Sequence, residues 1–249
     1  MKPGARQCGF LSSDTSDQAI CAETSSVTDW TPVIDKSLDD PPAGIPVRPR
    51  QLQMLRPHLS HLPEIALAPG FLLRTWQDGD EMAWGAIMDS PGGIHTTGGW
   101  LVHRVREKLV DRSEFAPSGC FLACDMTTPH QIPVASATMW RVTTAGHPAR
   151  GYLHMVGALP EFRGKGLGRA VSLAALKAMA SRGDTDAMLE TDDVRIDAIR
   201  SYLALGFTPV YAPDGDLGPD HRHRWSAVLQ ECHPVRSARQ SPRSSFPSA

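Results

Sequence analysis

The stretch from Tyr152 to Arg182 constrains this chain more than any other. It begins with Tyr152-Leu-His-Met-Val-Gly-Ala158, a short apolar run with residues that suit a strand. Pro160 ends that run, because proline is poorly suited to a central ladder. It finishes with Ala170-Val-Ser-Leu-Ala-Ala-Leu-Lys-Ala-Met-Ala180, free of Gly and Pro and rich in strong helix formers, so a helix is expected over 166–182. Between them lies Arg163-Gly-Lys-Gly-Leu-Gly-Arg169, with a glycine at every second position and basic residues interleaved. Strand, tight turn and helix in that order belong to a layered α/β domain.

A glycine-rich turn running into a helix is a ready anion site. The first backbone N–H groups of the helix have no intrahelical acceptor, and the helix dipole favours negative charge there. Glycine admits a ligand where a Cβ would block it. Read from the residues alone, the turn is either such a phosphate cradle or a glycine loop with no ligand. Two familiar phosphate loops do not fit. The P-loop requires Ser or Thr after its lysine, and Lys165 is followed by Gly166. The dinucleotide fingerprint GxGxxG fails as well. Counted from Gly164, the third glycine falls one residue early; counted from Gly166, Val171 stands in its place.

What fits is Arg163-x-x-Gly166-x-Gly168 after a strand and before a helix. This resembles the acyl-CoA loop of the GNAT-type N-acetyltransferases, whose pattern is Gln/Arg-x-x-Gly-x-Gly/Ala. A second segment, Ala198-Ile-Arg-Ser-Tyr202-Leu-Ala-Leu-Gly206-Phe207, resembles that family's Ala-x-x-x-Tyr-x-x-x-Gly-Phe at the expected distance downstream. The resemblance extends over roughly residues 68 to 230. It implies a mixed α/β sheet of about six to seven strands flanked by helices, with the fourth and fifth strands splayed. It also implies acetyl-CoA as co-substrate and acyl transfer to a primary amine by direct attack, without a metal.

Residue by residue, the resemblance implies that Arg163, Gly164, Lys165, Gly166, Leu167, Gly168 and Arg169 cradle the coenzyme diphosphate. The pantetheine arm would lie along the fourth strand at Val156, Gly157 and Ala158, pairing with its backbone as an added strand would. The family has a bulge there that turns one N–H toward the thioester oxygen, an oxyanion donor. Gly157 inside a strand suits a bulge or a close ligand approach; as a bare residue it is also no more than a weak strand position. Tyr202 stands where the family's tyrosine meets the coenzyme sulfur. A thiol of pKa about 8.5 and a phenol of about 10 lie close enough for proton transfer. For the base, Glu190 is the first choice, since bacterial ribosomal-protein alanine N-acetyltransferases carry a glutamate in the corresponding place. An ion pair or an exposed strand carboxylate is the plainer reading of Glu190. His154, beside the reaction centre, is its competitor if the strand register turns it into the cleft. The family often has Asn seven residues before the tyrosine; here that residue is Arg195, which would meet a phosphate or pantetheine oxygen, or solvent.

The remaining chain sets the bounds. With 249 residues there is enough for one good core. Charge is balanced, 25 Lys+Arg against 27 Asp+Glu, which gives no ground for a nucleic-acid or membrane partner. Five cysteines, odd in number and without CxxC spacing, fit a reducing, cytoplasmic setting rather than a disulfide framework or zinc site. Cys120 and Cys124 are expected as buried apolar side chains. No secretory h-region and no run of 18 apolar residues is present. Residues 1–50, rich in Ser, Thr, Asp and Pro, and the tail 232–249 are expected to be disordered. Residues 51–68 form a lead-in, with Leu52, Leu55, Leu59 and Leu62 roughly on one face, and 69–231 the N-acetyltransferase domain. A monomer or a homodimer fits equally.

Within the domain the pattern predicts strands at 71–76, 120–125, 132–142, 152–158 and 187–191, and final strands at 208–211 and 225–229. It predicts helices at 80–88, 100–115, 166–182 and 195–205, the last stopped by Gly206. Asp192, Asp193 and Asp197 near a helix start read as N-terminal charge, or as bait for a cationic amine. The loop 213–223, with His221, Arg222 and His223, is a candidate wall of the acceptor pocket. Two rival functions stand beside catalysis: a non-catalytic acyl-CoA sensor, and a site for another phosphate-bearing ligand such as a nucleotide.

Overall fold

The computed structural model describes residues 51–94, 96–127, 129–144, 147–211 and 221–232. The expectations for 1–50, for nearly all of 232–249 and for most of the loop 213–223 lie outside those residues. The strands are β1 (Leu52–Arg56), β2 (Phe71–Thr75), β3 (Cys120–Asp125), β4 (Ile132–Thr144), β5 (His147–Ala158), β6 (Asp186–Thr191) and β7 (Thr208–Pro209). The helices are α1 (Glu81–Asp89), α2 (Val102–Val105), α3 (Leu167–Arg182), α4 (Ile196–Ala204) and α5 (His221–Cys232). The strands form one mixed sheet in the order β2-β3-β4-β5-β6-β1-β7. Every pairing is antiparallel except that of β5 with β6.

Strand alternation divides the core between two faces. Ala135 and Ala137 of β4 and Leu153 of β5 pack with Leu173, Leu176 and Met179 of α3 and with Ile199 and Tyr202 of α4. Ser136 points the other way and accepts a 2.9 Å hydrogen bond from the indole of Trp84 on α1. The long helix α3 lies over the middle strands and sets Leu167, Val171, Leu173, Ala175, Leu176 and Met179 into the core. Cys120 and Cys124 are fully buried, and burial pushes the Cys120 thiol up to about 11. No helix among the described residues is long and apolar enough to cross a membrane.

Most predicted elements stand where expected, with four corrections. Residues 52–56 are not a helical face but a strand, β1, inserted between β6 and β7. Leu52 and Met54 enter the core, whereas Leu55 is only part-buried. Residues 225–229 are not a strand. They belong to α5, whose buried residues His221, Trp225, Val228 and Cys232 follow helical spacing. A five-residue apolar window does not distinguish the two periods. The expected helix 100–115 is shorter: α2 passes into a π-helical turn, Arg106–Val110, and the chain is irregular beyond it. The strand expected over 208–211 reduces to the two residues of β7. Because β1 precedes the rest, the fourth and fifth strands of the sequence pattern are β5 and β6 here.

Candidate active site

The glycine turn begins with a single 3₁₀ turn, Pro160–Phe162, directly after β5. Gly164 and Gly166 take φ of +75° and +76°, a region L-residues avoid, and Gly166 is the N-cap of α3. The first helical bond runs from the Ala170 N–H to the Gly166 carbonyl, at 3.0 Å. The amides of Leu167, Gly168 and Arg169 therefore have no intrahelical acceptor, and no side chain caps them. A Cβ at 164, 166 or 168 would meet nothing within 4 Å. A depression of about 400 Å³ lies between this turn and residues 64–68, walled by Lys165, Gly166 and Arg169.

The three basic side chains differ in what they touch. Lys165 lays its ammonium over the rings of Phe162 and Phe71, 4.8 and 5.5 Å from their centroids. Arg169 is exposed, with only a 3.4 Å contact to the Ala204 carbonyl. Arg163 turns back on the protein. It donates to the carbonyls of Ala158 and Pro91 and to the Ser90 hydroxyl, tying the turn to the segment after α1.

At this end of the sheet β5 parts from β6. Parallel pairing covers only Arg150, Gly151 and Tyr152 against Asp186, Ala187 and Met188. Beyond Tyr152 the two strands hold different partners: β6 stays paired to β1 as far as Thr191, and β5 to β4 as far as Ala158. The departure coincides with a bulge. Ser136 faces Gly157 and Thr138 faces His154, so β5 carries one extra residue between those pairs. Met155 there has φ +50°, uncommon for a long side chain and costly unless its surroundings enforce it. The bulge thus centres on Met155 and Val156 rather than on Gly157. Gly157 has another reason to lack a Cβ, which would stand 3.0 Å from Ile87 Cγ2 and 3.1 Å from Met88 Cε of α1. Leu159 N–H bonds the Val134 carbonyl at 2.9 Å, so alternation sends the peptide group of Ala158 to the open side of β5, up to the bulge at Val156.

Tyr202 is fixed by the way α4 ends. Gly206 takes φ +83°; its N–H bonds the Leu203 carbonyl at 2.9 Å, and the Phe207 N–H bonds the Tyr202 carbonyl at 3.0 Å. This is a Schellman ending, with an apolar contact between the third residue from the helix end and the residue after the glycine. Here those are Tyr202 and Phe207, with ring centroids 6.1 Å apart. The spacing Tyr-x-x-x-Gly-Phe is therefore a helix stop that also anchors the tyrosine. Among the described residues the Tyr202 hydroxyl has no hydrogen-bond partner. Burial pushes the phenol up to about 12. That widens the gap to a thiol and corrects the expectation of near-matched values.

Glu190 and His154 have very different surroundings. Glu190 lies where the gap opens. Its Oε1 accepts a 2.9 Å hydrogen bond from Gln53 Nε2 of β1, and its Oε2 a 3.3 Å bond from the Tyr152 hydroxyl of β5. Desolvation, then the Glu190 charge, hold the Tyr152 phenol well above its ordinary value, so it stays a donor. His154 lies on the same face but stacks on Trp140, with centroids 3.8 Å apart. Desolvation pushes its imidazole down to about 3. The direction suffices: the imidazole is neutral at pH 7 and a weak base.

Arg195 bridges two loops. It pairs with Asp192 at 2.9 Å and donates to the Gly93 carbonyl at 3.1 Å. Asp193 is held by Arg224 of α5, and Asp197 by Arg200 at 3.0 Å. All three acids thus have arginine partners within the protein. Among the described residues no group of three His, Cys, Asp or Glu converges as a metal cluster. The sequence pattern missed Gln53 and Tyr152. The one available signal was the alternation Leu52-Gln53-Met54, which in a strand sets Gln53 on the face opposite two core residues.

The sequence model of the Acetyltransferase (GNAT) family matches residues 84–207. A mycothiol acetyltransferase of Pseudarthrobacter chlorophenolicus is 34% identical over 148 residues, which are 59% of this chain and 45% of that protein. One of Thermobispora bispora is 36% identical over 161 residues, 63% of this chain and 52% of that protein. The chain thus spans about half the length of these curated relatives. A GCN5-related N-acetyltransferase structure from Sphaerobacter thermophilus aligns with TM-score 0.49 at 22% identity, over 66% of this chain and 50% of that one.

Proposed function

This chain belongs to the acetyltransferase (GNAT) family, and from that premise we propose that it transfers an acetyl group from acetyl-CoA to a primary amine by direct attack. The observation that carries the reading is the alignment of two features. The β5–β6 ladder stops at Tyr152 and Met188, and a turn with three uncapped amides stands at the end of β5. A diphosphate held at Leu167, Gly168 and Arg169 leaves its attached arm to run along the open edge of β5. The empty space beside Gly164, Gly166 and Gly168 fits that use, with Lys165 and Arg169 adding charge at the rim. Arg163 and Arg195 support the cradle by holding the segment Ser90–Gly93. The unit taken to carry the activity is 69–231 together with β1.

The chain's own groups divide the chemistry. Glu190 takes a proton from the acceptor ammonium, so that the nitrogen lone pair attacks the thioester carbon. It is preferred to His154, because a neutral imidazole of depressed basicity stacked under Trp140 is poorly matched to that task. The peptide N–H of Ala158 on the open side of β5, with the bulge at Val156 beside it, receives the carbonyl oxygen as it gains charge. The C–S bond then breaks, the excess proton on the acylated nitrogen leaves to solvent or to the departing sulfur, and Tyr202 donates a hydrogen bond to that sulfur. With a phenol near 12, full transfer of its proton is uphill unless the thiol, in the same dry setting, is raised too. A cytoplasmic, reducing setting goes with the proposal.

Calorimetric titration with acetyl-CoA, together with thiol release across a panel of primary amines, tests the reading. A mycothiol-type acceptor heads the panel, since mycothiol is what the relatives' name carries. Coenzyme binding with amine-dependent thiol release is expected. Binding without release across the panel would instead favour a non-catalytic acyl-CoA sensor. Displacement of acetyl-CoA by ATP at comparable concentration would favour a nucleotide site.

A further inference from the structure

We infer that Gln53 is a positioning residue that holds the Glu190 carboxylate aimed at the gap between β5 and β6. The inference rests on the proton-acceptor role proposed above for Glu190. Gln53 lies outside the segment 84–207 that the family model matches. It reaches the site only because residues 52–56 insert as a strand beside β6.

Four observations support it. Gln53 is only 4% exposed, and a buried amide is costly unless its hydrogen bonds are made. In the antiparallel register of β1 and β6 it stands directly opposite Glu190. Its Nε2 donates to Glu190 Oε1 at 2.9 Å, while the Tyr152 hydroxyl takes Oε2 from the strand on the other side. The two carboxylate oxygens are therefore held by the two neighbours of β6, one from each direction. The Gln53 main chain is anchored, since its backbone carbonyl accepts the Val210 N–H at 2.9 Å.

A neutral donor suits this position. An ammonium there would depress the basicity of the carboxylate, and a carboxylate would oppose its ionisation. A leucine would leave one buried oxygen without this donor. Among the described residues, ionisable groups on the elements beside β6 include the following. From β5 come Tyr152, then His154 two residues on, and Arg150, which is paired with Asp186 of β6. From the turn before α4 comes Asp192, held by Arg195 and Gln51. From α4 comes Tyr202, within electrostatic reach of Tyr152.

The test reads Glu190 directly. In full-length protein labelled with ¹³C at glutamate side-chain carboxyls, the Glu190 signal is identified by its loss in Glu190→Gln. Gln53→Leu removes the donor at similar size, and Gln53→Glu keeps the shape while adding like charge. The Glu190 midpoint should rise by about one pH unit in the first variant and by more in the second. The acid limb of kcat/KM, measured with acetyl-CoA and the most active amine of the panel, should move with it, while the KM for acetyl-CoA stays unchanged. Midpoints within about 0.3 pH unit of the parent in both variants overturn the inference and leave the base assignment standing. Full activity of Glu190→Gln overturns that assignment, and the inference with it.

Discussion

Replacing Gly166 by alanine separates a cradle from a bare turn. The new Cβ meets no atom within 4 Å in the free protein, so the cost to folding is conformational alone. Holding alanine at φ +76° costs about 1–2 kcal/mol, or a fall in Tm of about 2–8 °C for a domain of this size. The cost to binding is separate. The methyl occupies the space from which a diphosphate must approach the amides of Leu167 to Arg169. Losing one or two hydrogen bonds to a charged group removes about 2–4 kcal/mol, which weakens coenzyme A binding roughly 30- to 1000-fold. Gly168→Ala is the internal control. Gly168 lies inside the first turn of α3, has no positive φ and also has open space around it. There alanine should stabilise the helix by about 0.5–1 kcal/mol, and the acyl-CoA loop pattern admits alanine at this place. Calorimetric titration with coenzyme A and thermal unfolding should therefore show opposite profiles for two methyls placed two residues apart. Gly166→Ala binding within about threefold of the parent, with its Tm lowered as worked above, would refute the cradle.

Tyr202→Phe should lower kcat by about ten- to a hundredfold while sparing coenzyme affinity and stability, since the lost hydroxyl has no hydrogen bond among the described residues. Burial raises that phenol from 10 to about 12, so the folded state binds the proton more tightly and stability falls as pH rises from 10 toward 12. Urea unfolding across that range should show a shallower fall in the Phe variant; an unchanged slope counts against a buried phenol. His154 has the opposite sign. Its folded value of about 3 lies below the unfolded 6.5, so its contribution is present above 6.5 and lost as pH falls toward 3. His154→Phe should flatten the acid side of the stability profile and keep most activity at pH 8; loss of activity there would return His154 to candidacy as the base.

Local chemistry made one half of the site legible. The turn 163–169 and the ending Tyr202-x-x-x-Gly206-Phe207 are both helix termini, and helix termini are written in neighbouring residues. The positive φ of Gly166 and Gly206 needs glycine at those two places. What spacing alone does not carry is pairing between distant strands. Gly157 looked like the bulge because it is the odd residue in the strand, yet the extra residue lies at Met155 and Val156, set by the register with Ser136 and Thr138. The partners of Glu190 were hidden for the same reason. Gln53 is 137 positions away and Tyr152 is 38, and neither distance leaves a periodic trace.

Strand β1 connects these points. A sheet that opens between two parallel neighbours must hold each from its far side, or the freed strand loses half of its hydrogen bonds without replacement. On the β5 side, β4 does this through its ladder to Ala158. On the β6 side it falls to β1, which pairs with every residue from Ala187 to Thr191. Residues 225–229, expected to serve as the last strand, instead fold as part of α5 and pack Trp225 and Val228 into the core. Strand β1 therefore keeps β6 in place while β5 departs, and in the same register sets Gln53 opposite Glu190. A chain trimmed to residue 69 would lose both. Its unfolding midpoint and its Glu190 titration should change together, which substitution at Gln53 alone should not reproduce.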